Sequence, residues 1–176
     1  ELLRKEFSAD AHDGLDFEGY RKLEAELFDE LAHKADVWAR DGIDASCVHF
    51  GRADADCAAD AREALANSRF NKSGLPQRLA EGAPFNRSFR LARPQPQGHA
   101  LLIHGLTDSP YSMKALAQSL HARGFEVTVL RLPGHGALPS MMAEMSTRDW
   151  SAAVRIAARD VASRTPAHQP FYIGGY

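Results

Sequence analysis

The chain has 176 residues, of which 44% are hydrophobic, 9% aromatic and 25% charged, proportions that suit a globular protein with one sizeable core and exclude disordered, collagen-like and coiled-coil architectures. The net charge of −2 hides a split, since residues 1–63 hold 17 acidic and 8 basic side chains and the remainder hold 6 and 13, as expected for an acidic arm docked on a basic body. No apolar run approaches the roughly 20 residues that span a bilayer, no signal peptide opens the chain, and Cys47 and Cys57 alone cannot build a disulfide framework, so a reducing, cytoplasmic setting without a transmembrane segment is expected.

Glu1 stands where an initiating Met is absent, which implies numbering from inside a longer product or after processing. Residues 1–84 read as an N-terminal helical arm. From Phe17 to Asp41 the apolar residues Tyr20, Leu23, Leu27, Leu31, Ala35 and Trp38 recur at steps of three and four, which predicts an amphipathic helix ending at Gly42. Its polar face is acidic, which favours packing on the core over an anionic membrane surface. A second helix is predicted from about Ala58 to Asn67, with Asp54 and Asp56 as N-terminal caps; the calcium-loop alternative lacks its Gly and closing Glu. Cys47, His49 and Cys57 match no standard zinc spacing, so no metal is expected. Lys72–Gly98, rich in Pro, Gly and Arg, predicts turns and short edge strands.

Residues 85–176 change pattern to alternating strand and helix. His99–His104 and Phe125–Leu130 read as strands, and Phe171–Gly174 as a third. Between them a helix over Pro110–Arg123 starts at Ser109, buries Met113, Leu116, Ala117 and Leu120, and stops at Gly124. Another starts near Thr147, buries Trp150, Val154, Ala158 and Val161, and is closed by Pro166. This alternation predicts an α/β fold, a mostly parallel sheet covered on both faces, with ligands gathered at the C-terminal strand ends. The basic side chains are scattered singly without interleaved aromatics, so no nucleic-acid surface is expected. Asn86-Arg87-Ser88 fits the glycosylation sequon but has no secretory context.

Three turns follow the three strands: His104-Gly105-Leu106-Thr107-Asp108-Ser109-Pro110, then Arg131-Leu132-Pro133-Gly134-His135-Gly136, then Gly174-Gly175-Tyr176. Together they resemble the α/β-hydrolase superfamily, in particular bacterial carboxylesterases and monoacylglycerol-lipase-like or lysophospholipase-like serine hydrolases. The resemblance covers about residues 85–176 and implies the N-terminal half of that fold. It implies a G-x-S-x-G nucleophile elbow whose first two positions are Gly175 and Tyr176, with the serine as the next residue and the triad's acid and histidine later. It also implies that the Leu106 amide is one of two oxyanion donors, shaped by His104, Gly105, Thr107 and Asp108 on one side and by Gly134 and His135 on the other. Both histidines read as structural, Asp108 as a helix cap at least as readily as a pocket residue, and Trp150 as core.

The resemblance implies a serine hydrolase acting on small or lipophilic carboxylic esters through an acyl-enzyme, with no cofactor. Alternatives are a peptidase or amidase of the same fold, an Asp-nucleophile hydrolase, or a non-catalytic scaffold that binds a partner through the acidic arm. Asp-nucleophile relatives usually carry an Asp where Arg131 stands, which sides with the esterases.

Overall fold

The sheet has strand order β1-β3-β2-β4, built from β1 (Phe89–Leu91), β2 (Gly98–Ile103), β3 (Phe125–Leu130) and β4 (Phe171–Gly175). The computed structural model describes residues 6–41, 86–137 and 139–176; the expected helix at 58–67, the turns of 72–85 and the residues Cys47, His49, Asp54, Asp56 and Cys57 lie outside the described residues. Two compact units divide the chain, Glu1–Leu27 with Phe85–Tyr176, and Phe28–Pro84. The helix α1 (Phe17–Asp41) begins in the first unit and ends in the second.

β2 pairs in parallel with β3 on one side, Gly98 opposite Phe125 through Ile103 opposite Leu130, and with β4 on the other, His99 opposite Phe171 through Ile103 opposite Gly175. Flanked on both edges and covered on both faces, it is buried almost throughout, as its unbroken apolar run requires. β1, in the Pro- and Arg-rich segment, adds antiparallel to the far edge of β3, Phe89 opposite Val129 and Leu91 opposite Val127.

The chain leaves β2 toward β3 and then crosses back past β2 to β4. Right-handed crossovers in opposite directions place their helices on opposite faces. The cores follow the two-residue period of the strands. On one face Ala100, Leu102, Val127 and Val129 pack against Met113, Ala117 and Leu120, the last two on α2 (Lys114–Ala122). On the other Leu101 and Leu130 pack against Ala153, Ala157 and Val161 of α3 (Thr147–Arg164). Phe7, Phe17 and Tyr20 complete this second core, with the Phe7 ring edge-on to Tyr20 at 5.1 Å between centroids. Residues 6–27, expected within the arm, thus share a core with the strands.

Three helix readings shift in detail. Pro110–Met113 forms one 3-10 turn before α2, with Ser109 at the capping position but no capping bond from its side chain; its hydroxyl donates to Asn86 Oδ1 at 2.9 Å instead. Leu116, expected in the core, is exposed. On α3 the buried line runs Asp149, Ala153, Ala157 and Val161, sharing Val161 with the expected stripe and otherwise one residue off it, with Trp150, Val154 and Ala158 at its flanks. Small residues let the helix lie close to the sheet, and Trp150 turns its indole N–H to the Pro133 carbonyl at 3.0 Å, a buried polar group finding a partner. A reciprocal capping box, Ser146 with Asp149, starts this helix.

Candidate active site

Two of the expected turns meet at the C-terminal ends of β2 and β3, beside the end of β4; Gly174 and Gly175, expected in a third turn, instead continue β4 and pair with Leu102 and Ile103, and Tyr176 follows. His104, the residue after β2, is buried, and its ring bridges two turns. Nε2 accepts the Leu132 amide at 3.1 Å, which leaves the proton on Nδ1, donated to the Gly105 carbonyl at 2.9 Å. Burial lowers the His104 pKa to about 4, so the ring is neutral at pH 7.

The next turn supplies a second clamp. His135 is buried, its ring centroid 5.1 Å from that of His104 and 5.6 Å from Trp150. Its Nε2 lies 2.5 Å from the Leu106 carbonyl and its Nδ1 3.0 Å from the Pro133 carbonyl. Among the described residues neither histidine faces a hydroxyl or thiol. Gly134 needs its residue type, with φ +79° and a Met145 side-chain carbon 2.6 Å from where a Cβ would stand.

The end of β4 closes on the first turn. A Cβ on Gly105 would meet the Tyr176 ring at 2.8 Å. Past Gly105 the Tyr176 hydroxyl reaches Asp108 Oδ2, and it bonds Ser112 Oγ at 2.9 Å. Asp108 Oδ1 accepts the Ser109 amide at 2.8 Å, and through Tyr176 this side chain ties two strand ends together. Partial burial pushes its carboxyl up, but the bonds from Tyr176 and Ser109 outweigh it and hold the group below the usual carboxylate range. Gly175 pairs with Ile103. Leu106 and Thr107 stand exposed between the turns, and the Leu106 N–H meets no acceptor among the described residues.

Beneath the second turn lies a charged cluster that the motifs did not announce. Arg131, 1% exposed, sends Nη2 and Nη1 to the two Glu6 oxygens at 2.8 and 3.0 Å and Nε to Glu24 at 2.9 Å. Its Nη1 also donates to the His135 carbonyl at 2.7 Å. Burial works against the guanidinium charge, and the Glu6, Tyr20 and Glu24 side chains outweigh it and raise the pKa. Burial likewise pushes the Glu24 carboxyl up, despite Arg131 and the Ser88 bonds pulling it down. One signal was available, a glutamate at position 24 in helical register with Tyr20, Leu27 and Leu31, all buried, where the stripe invited Leu23.

No family model matches the chain. A thermostable monoacylglycerol lipase of Bacillus sp. (strain H-257) is 41% identical over 54 residues, 31% of this chain and 22% of the lipase. The chain resembles the lipolytic α/β-hydrolases. A solved structure from work on LipS and LipT, two metagenome-derived lipolytic enzymes, is 30% identical with a TM-score of 0.47, covering 52% of this chain and 36% of that one. These matches span a fifth to about a third of the relatives' lengths. A mostly parallel sheet with helices on both faces is an α/β architecture. Among the described residues no helix is long and apolar enough to cross a membrane.

Proposed function

We propose that this chain carries the oxyanion side of a serine hydrolase that cleaves carboxylic esters. The observation that carries the reading is the Leu106 amide, without an acceptor among the described residues at the junction of three strand ends and flanked by peptides that two buried histidines hold. Similarity to a monoacylglycerol lipase supports esters, with monoacylglycerols the first substrates to try.

In this reading a serine following Tyr176 attacks the ester carbonyl carbon while a histidine elsewhere in the protein takes its proton. The carbonyl π electrons move onto oxygen, and the Leu106 N–H donates to that oxyanion. Collapse expels the alcohol, which takes the proton from the histidine, and water then releases the acid by the same steps. A second backbone donor follows the serine. Such donors act because they are already oriented when the charge develops, and losing one costs about 10²- to 10³-fold in rate.

The test is to treat the complete protein with a fluorophosphonate, map the adduct by peptide mass spectrometry, and assay p-nitrophenyl esters. An adduct on the residue after Tyr176 together with ester turnover supports the reading. No adduct and no turnover in folded protein overturns it in favour of an Asp nucleophile or a partner-binding scaffold, and turnover of amides in preference to esters would favour a peptidase.

A further inference from the structure

Glu6 lies far from the Leu106 amide in sequence, yet every link between them is a short bond. The Leu106 N–H belongs to the peptide whose carbonyl, that of Gly105, accepts from His104 Nδ1 at 2.9 Å. The following peptide, through the Leu106 carbonyl, is bound by His135 Nε2. Both planes beside the Leu106 Cα are therefore held, which leaves the N–H little freedom to turn. Both holders depend on the Arg131–Gly136 turn, one through the Leu132 amide and the other by membership.

That turn has its own anchor. One Glu6 oxygen, Oε2, accepts the Gly134 amide at 2.9 Å and Arg131 Nη1 at 3.0 Å, while Oε1 accepts Arg131 Nη2 and the Phe7 amide, each at 2.8 Å. Arg131 passes the constraint on through its bond to the His135 carbonyl. Charge-assisted, bidentate and nearly dry, with 1% and 6% side-chain exposure, this pair has the geometry that fixes direction.

We infer that Glu6 is a positioning residue for the oxyanion donor, holding the Gly134–His135 turn so that its clamp on the Leu106 peptide keeps the amide aimed. The role rests on the ester-hydrolase reading and extends the machinery of that site to the N-terminal segment, which touches no reacting atom.

Glu6→Gln in the complete protein keeps the size and removes the charge. Expected is a fall of about 10-fold in kcat per titrated active site, less than outright loss of a donor, with KM within about twofold and affinity for a trifluoromethyl ketone falling in step with kcat/KM. His135→Phe retains the ring and loses the bond to Leu106, and the double variant is expected to be no slower than the slower single one. A kcat per titrated site unchanged within about twofold, whatever the loss in Tm, overturns the role. Should Glu6→Gln fail to accumulate, Phe7→Leu loosens the same segment with Glu6 in place, and a kcat per site that does not fall overturns it equally. Wild-type protein that neither turns over esters nor takes the fluorophosphonate overturns the functional reading itself, whereas an active wild type with an equally active Glu6→Gln sinks only the role of Glu6.

Discussion

The two faces of the sheet are built on different principles. Against α2 the contacts are aliphatic, Ala100, Leu102, Val127 and Val129 on Met113, Ala117 and Leu120, and that face holds together by removing apolar surface from water. Against α3 and the N-terminal segment a comparable apolar core sits beside Arg131, Glu6 and Glu24, groups whose desolvation is costly unless every partner is present. The first face tolerates imprecision. The second is committed to one arrangement, and it is the face that leads to the strand-end turns.

The sharpest way to break this contrast is Arg131→Met, which leaves two carboxylates buried without their cation. A loss of about 3–5 kcal/mol is expected in urea unfolding. Adding Glu6→Gln and Glu24→Gln is expected to restore much of it, and no restoration would mean that packing, not charge, dominates there. On the neutral face Leu102→Ala is expected to cost about 2–5 kcal/mol through the cavity it leaves, with the same value at pH 5 and pH 8.

The third prediction concerns pH. The folded-state pKa of His104 is depressed from 6.5 to about 4, so its contribution is present above pH 6.5 and is lost as pH falls toward 4. That amounts to about 3 kcal/mol at the lower limit, and His104→Gln is expected to flatten this part of the stability profile. Glu24, raised by burial, has the opposite sign: its contribution is present at low pH and lost as pH rises. The smallest effect belongs to Asp149→Ala, which removes one half of the α3 capping box and is expected to cost about 1 kcal/mol by thermal unfolding.

Strands and turns of the second half were legible because parallel strands need continuous apolar runs and the turns need Gly and Pro at set places. The helix-to-sheet faces were less so. Periodicity alone does not separate Trp150, Val154 and Ala158 from Ala153 and Ala157, since both lines are apolar. Close approach to the sheet chose the smaller side chains. Leu116 shows the converse, a large apolar residue left at the surface, which is ordinary for folded proteins. The candidate site's residues were named through the resemblance that their turns carry, but nothing in the sequence named the residues beneath them. Glu6, Glu24 and Arg131 are charged, and a pattern reading sends charge to solvent; only the fold brings three such groups together from positions far apart in the chain.

Those separations bear on how the molecule assembles. Glu6 meets Arg131 across 125 residues, and the Ala9 amide meets Asp149 across 140. Loops of that size close late, since their entropy is lost before any contact rewards it. The N-terminal segment of the described fold is therefore expected to dock last, and the Arg131–Gly136 turn to acquire its final support only once the sheet it rests on already exists.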